Sequence, residues 1–207
     1  MFGCCDTRRV WIRKGAAWLF RLSVCLIALP GLAAETAAPA PRKAADWIRR
    51  QTPAQVWPEV EPLIASEKVE LVVSISAQRL WFLVGEKVYI DSPVSTGKRT
   101  GMTPLGQYKV LEKDPDHHSN LYGAFVDGAG RVVRDGVSAR LDSAPSGTRF
   151  RGSPMKWFLR LTDGGIGLHV GNLPGYPASH GCVRLPEPIA ERIFRSVKLG
   201  TPVSIVP

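Results

Sequence analysis

Residues 67–207 predict a mostly-β domain, a sandwich or barrel, with one helix late in the chain. Three observations carry this. Short runs rich in Val, Ile, Leu and aromatics recur from Val69 onward. Gly and Pro turn signals punctuate them at short intervals. Only residues 187–198 sustain a helical period. The chain has 207 residues, 44% hydrophobic and 22% charged, which is enough to bury a core and unlike a disordered or collagen-like composition.

Taken in order, residues 1–34 read as an export signal. Arg8, Arg9, Arg13 and Lys14 form a basic start, Arg21 follows, and the apolar run LSVCLIALPGLAA (22–34) ends in small residues. Cleavage after Ala33 or Ala34 fits this layout, and the run is shorter than the roughly 20 residues of a membrane span. The rival is an uncleaved anchor over 16–29, which would hold Arg21 inside the bilayer at a cost. TRRVWIRK (7–14) resembles a twin-arginine signal. LSVC, ending at Cys25, resembles a lipoprotein site only loosely, because Val24 stands where a small residue is wanted. The expectation is a periplasmic or cell-envelope protein whose N-terminal segment touches the membrane transiently. The formal net charge of +9 falls to +5 once residues 1–34 are removed, with 22 basic and 17 acidic residues left. That charge suits an anionic polymer or surface. No basic stripe interleaved with aromatics points to nucleic acid.

Residues 35–66 begin with the Ala/Pro-rich linker ETAAPAPRKAA (35–45). The stretch 46–66 carries Pro53, Pro58 and Pro62 and predicts one or two short helical turns rather than a domain of its own. Strands are expected at 69–76, 80–84, 87–96, 106–113, 157–162, 166–170 and 201–206, with Gly85-Glu86 as the turn between the second and third. His117 and His118, in DHHSN, lie among turn formers and read as exposed loop residues. In the 187–198 helix, Ile189, Ala190, Ile193, Phe194 and Val197 share one face. Pro188 suits its first turn, and Lys198 followed by Gly200 suits its end.

The chemistry centres on a lone thiol. Cys4, Cys5 and Cys25 fall in the export signal, so Cys182 is the single cysteine after it and cannot form an internal disulfide. A buried inert thiol usually sits among apolar residues. Cys182 instead has His180 and Gly181 before it and Arg184 after it, an electropositive setting that favours thiolate. His169 lies thirteen positions upstream, and Gly171, Pro174, Gly175 and Pro177 between them force turns that could bring the two together. A thiol beside an imidazole is the minimal nucleophile–base pair of acyl transfer. Gly181 would let backbone N–H groups approach a developing oxyanion.

Blander readings stand beside this one. His169 alone could be a satisfied core histidine. His169, His180 and Cys182, with Asp163 as a fourth ligand, could hold zinc, although no C-x-x-C or H-x-x-x-H spacing supports it. Asp163 in TDGG is more simply a turn residue. TGKRTG (96–101) lacks the upstream glycine of a phosphate loop, since Ser92 occupies that position.

The stretch LHVGNLPGYPASHGCVRLP (168–186) resembles the active-site signature of the L,D-transpeptidase catalytic domain family: a histidine, a variable loop, then Ser-His-Gly-Cys, an aliphatic residue and Arg or Asn. Residues 72–110, with their Ser-Thr-Gly-Lys and Thr-Pro-x-Gly segments, residues 153–169 and residues 200–206 resemble further family segments in order. One departure is Val170, which stands between His169 and Gly171 where many members have glycine directly.

The resemblance implies an L,D-transpeptidase sandwich or barrel with a helix after the active-site cysteine. It also implies an enzyme that acts on peptidoglycan stem peptides with no cofactor and no metal. Cys182 would be the nucleophile, His169 the general base oriented by a backbone carbonyl, and His180 a supporting residue of the catalytic set. Gly181 and Cys182 would supply oxyanion N–H groups, Ser179 would belong to the oxyanion or supporting set, and Arg184 would brace the site or contact a carboxylate. Met155, Trp157, Asn172 and Tyr176 would line the donor pocket, with core packing as the alternative for Met155 and Trp157. The acceptor of the acyl group is left open: a second stem, a lipoprotein, a free amino acid, or water in a hydrolase on the same scaffold. A catalytically silent wall-binding module is the reading from a different class.

Overall fold

A computed structural model describes residues 51–207 of the chain; the export-signal and linker readings at 1–45 lie outside the described residues. Among the described residues, thirteen strands form three sheets, with a 3-10 helix at Pro58–Ala65 and an α-helix, α1, at Glu187–Ser196.

The first sheet is built on a hairpin of β3 (Arg79–Val84) and β4 (Lys87–Pro93). Gly85, with φ +58°, begins its two-residue turn, the place where a primed hairpin turn requires glycine. β2 (Val69–Ser74) pairs antiparallel with β3. β3 alternates strictly, sending Leu80, Phe82 and Val84 inward. β13 (Pro202–Val206), the last strand in sequence, runs parallel to β2 and antiparallel to β5 (Gly106–Lys109). β1 (Gln55–Val56) adds to the outer edge of β4, and Val60 of the 3-10 helix is buried in the core. Residues 55–65 are therefore packed into this domain, with Pro58 and Pro62 confining the helix to 3-10 turns.

The second sheet has the order β12-β11-β10-β6: β6 (Glu112–Asp114), β10 (Phe158–Arg160), β11 (Gly167–Val170) and β12 (Val183–Leu185). The core joins both sheets and α1 through Leu71, Phe82, Leu159, Leu168, Val203 and Ile193. The fold class is mostly β, with α1 after the cysteine segment and with sheets that do not close into a barrel.

Three expectations are corrected. The expected strand 106–113 splits between sheets at Val110 and Leu111, whose N–H groups donate to Thr201 and Arg160 instead of continuing one ladder. The expected strand 157–162 starts one residue later, because Trp157 takes a left-handed φ of +57°. Residues 118–154, where no strand is expected from the sequence, form a third sheet, β8-β7-β9, from β7 (His118–Val126), β8 (Val132–Ser138) and β9 (Arg149–Pro154). His118 therefore begins a strand, and His117 is half-buried against Phe158, its ring stacked at 4.2 Å and bonded to Asp114 Oδ2 at 3.0 Å.

Candidate active site

β11 and β12 are parallel neighbours, with Leu168 opposite Val183 and His169 opposite Arg184. Cys182 directly precedes β12 and so comes beside the start of β11, where the Gly167 N–H acts on its sulfur. Alternation along β11 turns Leu168 into the core and His169 toward the opposite side. His169 and Cys182 line one cleft of about 550 Å³, walled on its far side by residues of β7 and β9.

His169 is fixed by its own strand. Its Nδ1 lies 2.6 Å from the Val170 carbonyl, which can only accept, so Nδ1 carries the proton and Nε2 is the free basic nitrogen. No carboxylate is needed for this orientation. Burial pushes its pKa down to about 4; the Val170 carbonyl opposes that, while the charge of Arg184 and the nearby His117 add to it. Burial also pushes the Cys182 thiol up, against the Gly167 N–H and the charges of Arg184 and Arg160. This corrects the expectation of a resting thiolate. The electropositive neighbours are present, but loss of water around the sulfur outweighs them, and both members of the pair rest neutral. The S–H donates to Gly165 O at 3.5 Å.

The Ser-His-Gly-Cys turn is held by short polar contacts. Ser179 Oγ donates to Cys182 O at 2.5 Å and accepts from the Gly181 N–H at 3.0 Å. The Gly181 N–H, one of the two expected oxyanion donors, is thus engaged inside the turn, while the Cys182 N–H has no acceptor among the described residues. Gly181 itself is required: its φ is +141°, and a Cβ would stand 2.6 Å from Ile166 Cδ1 and 2.8 Å from Met102 O. His180 is exposed, stacked at 4.2 Å on Tyr122 of β7, and its Nε2 accepts from Lys98 Nζ at 3.0 Å. It ties the cysteine turn to the third sheet and lines the same cleft as Cys182 and His169, with no hydrogen bond to either among the described residues. Arg184 is half-buried at the cleft and forms no ion pair among the described residues.

Of the expected donor-pocket residues, Met155 and Asn172 line the cleft. Trp157 and Tyr176 do not. The Trp157 ring packs 5.2 Å from Phe194 and beneath Arg195 of α1, and the Tyr176 carbonyl accepts from Ser95 Oγ at 2.8 Å. Asp163 lies in the 162–165 turn closed by Gly165 N–H to Thr162 O. Among the described residues no group of three or more His, Cys, Asp or Glu is placed to hold a metal ion.

Sequence reasoning missed the brace behind the turn. The start of the stretch rejected as a phosphate loop, with Ser95 just before it, pairs with the cysteine segment: Ser95 bridges Arg184 and Gly97 bridges Ser179. Thr96 O accepts from the Ala178 and Ser179 N–H groups, and Thr96 is in turn held by the buried amide of Gln78. Thr103 Oγ1 donates to Gly181 O. The sequence signal for this was the run of small hydroxyl residues, which buried turns use to satisfy backbone groups.

The family model described as YkuD, L,D-transpeptidase catalytic domain, matches residues 68–205. The chain belongs to the L,D-transpeptidase catalytic domain family. Among solved structures, an L,D-transpeptidase from Mycobacterium smegmatis is similar with 24% identity and a TM-score of 0.51, over 68% of this chain and 59% of that one. The L,D-transpeptidase LdtMt1, solved in complex with imipenem, is similar with 23% identity and a TM-score of 0.51 over the same shares. This chain thus spans about three-fifths of the length of these two L,D-transpeptidases, and at such identity the likeness is one of fold. No curated protein matches the sequence.

Proposed function

We propose that this family member is an exported L,D-transpeptidase that works on peptidoglycan stem peptides outside the cytoplasmic membrane. The observation that supports this most is the pairing, in one cleft, of the only cysteine among the described residues with a histidine whose Nδ1–H is locked on a backbone carbonyl. The lock leaves Nε2 as a base and fixes the ring against tumbling.

In this reading the neutral Cys182 thiol gives its proton to His169 Nε2 as sulfur attacks the carbonyl of the third stem residue, of diaminopimelate type. The negative charge on oxygen is met by the Cys182 N–H. Collapse of the tetrahedral adduct breaks the bond to D-Ala, whose amine leaves with the proton from His169. An acceptor amine then attacks the thioester, His169 takes its proton, and sulfur recovers it on departure. Arg184, half-buried and without a carboxylate partner among the described residues, is suited to a stem carboxylate. The acceptor is a second stem, a lipoprotein, an amino acid or water, and Met155 and Asn172 line the cleft where the donor stem would lie.

The test is incubation of the protein with purified tetrapeptide muropeptides, followed by intact-mass and product analysis. An acyl adduct is expected on the wild type and none on Cys182→Ala. Crosslinked dimers would identify a stem acceptor and free tripeptides would identify water. A wild type that never carries an adduct, or an adduct that survives loss of Cys182, would sink the nucleophile assignment. An imipenem adduct on Cys182 is expected by the same measurement. His169→Gln is expected to slow adduct formation by about 10²–10⁴-fold.

A further inference from the structure

The Gly181–Cys182 peptide is held from one side only. Its carbonyl accepts from Thr103 Oγ1 at 2.6 Å, while its N–H, that of Cys182, has no acceptor among the described residues. Thr103 is 2% exposed, and its single hydroxyl proton has one destination. The Gly97 N–H donates into the same oxygen at 2.8 Å, occupying a lone pair and turning the O–H toward Gly181.

The other polar groups of the turn are already committed. The Gly181 N–H is on Ser179 Oγ, and Cys182 O accepts from the same hydroxyl. The two backbones also touch closely: a Cβ on Gly97 would lie 2.9 Å from the Thr103 N, and one on Gly181 would lie 2.8 Å from Met102 O. Close approach without side chains is what lets Thr103 reach a main-chain carbonyl.

We propose that Thr103 is the positioning residue of the oxyanion site: its hydroxyl clamps the Gly181 carbonyl and thereby aims and polarises the Cys182 N–H. In a planar trans peptide the C=O and N–H point in opposite directions, so fixing the carbonyl fixes the donor. A hydrogen bond accepted at the carbonyl also strengthens the N–H at the far side of the same amide. Thr103 touches no reacting atom and acts through the peptide. This rests on the thioester reading, and it adds the residue on which that chemistry's charge stabilisation depends.

The experiment compares two reactions of Cys182 in the full chain, for Thr103→Val, Thr103→Ser and the wild type. Acylation by imipenem passes through an oxyanion; alkylation by iodoacetamide does not. Thr103→Val is expected to slow acylation by roughly 10- to 100-fold, a part of the 10²–10³ that loss of a whole oxyanion donor costs. Alkylation should stay within a few-fold, and with muropeptide donor kcat should fall while KM holds. Thr103→Ser should restore acylation. Thr103→Ala removes the hydroxyl without new bulk and gives the same reading should the valine variant not fold. Equal losses of acylation and alkylation would overturn the proposal, because they would mean general damage to the thiol. Unchanged acylation in the valine and alanine variants would overturn it as well. If the wild type itself is not acylated, the thioester reading has failed instead, which is a separate result.

Discussion

His169 is buried with its ring already committed at one nitrogen, and its pKa of about 4 against an ordinary 6.5 has two consequences. The first concerns rate. The base is in its working, neutral form down to about pH 4, so the acid limb of kcat/KM should fall near 4 and not near 6.5. A profile measured with a donor whose own groups do not titrate there checks this, and an acid limb between 6 and 7 would overturn it. The second concerns stability. Between about pH 6.5 and about pH 4 the unfolded chain binds a proton at this imidazole that the folded chain refuses. Stability is therefore full above 6.5 and declines as pH falls through that window, by up to about 3 kcal/mol in all. Urea midpoints of wild type and His169→Asn across that window should converge toward acid. Neither consequence is visible in the sequence, where the basic neighbours of Cys182 suggest charge and nothing signals how dry the site is. The candidate nucleophile and base could be singled out in the sequence because the types are rare: four cysteines and four histidines in the whole chain. Trp157 takes its core-packing alternative and Tyr176 does not line the cleft, because an aromatic side chain read from sequence does not tell core from cleft.

At the scale of elements, legibility followed apolar content. β2, β3 and β4 were read from runs rich in Val, Ile, Leu and aromatics, and α1 from its helical period. The β7–β9 sheet was not, and its residues explain why. β8 carries Gly136 at φ +66° within the strand, and the pairing of β7 with β8 shifts register twice. β9 is RFRGSP, whose residues are exposed or only partly buried. Glycines let these strands approach: a Cβ on Gly152 would sit 1.9 Å from Ser119 O, and one on Gly123 would sit 2.1 Å from Arg151 O. Such contacts belong to pairing partners distant in sequence and leave no local pattern. Because this sheet walls the cleft, Gly152→Ala should act on both fold and site. It should cost about 1–3 kcal/mol, raise hydrogen exchange across 118–126 and 149–154, and slow acylation of Cys182. Exchange that stays at wild-type levels would show that the close approach is not what holds β9 in place.

Across the whole molecule, the last strand in sequence is an interior strand of the largest sheet. β13 lies between β2 and β5, with Val203 at 0% and Ile205 at 2% exposure. Burial of those two side chains contributes about 1.5–3 kcal/mol each, a large part of the roughly 5–15 kcal/mol by which a domain is stable. Its removal also strands the ladder groups of β2 and β5 on opposite sides of a gap. The effect reaches the site through the chain itself. β2 ends at Ser74, whose hydroxyl donates to Pro207 O, and the Ile75 N–H donates to Val206 O. The turn that follows carries Gln78, which holds Thr96, which holds Ser179 ahead of Cys182. Ending the chain at Thr201 should therefore abolish the dispersed backbone amide spectrum and acylation by imipenem together, while alkylation of Cys182 speeds up as its burial is lost. Removing Pro207 alone, an exposed residue whose side chain joins no core cluster, should leave amide dispersion intact and acylation within a few-fold. A protein ending at Thr201 that still acylates at the wild-type rate would mean that β2, β3 and β4 support the cysteine turn without their parallel neighbour.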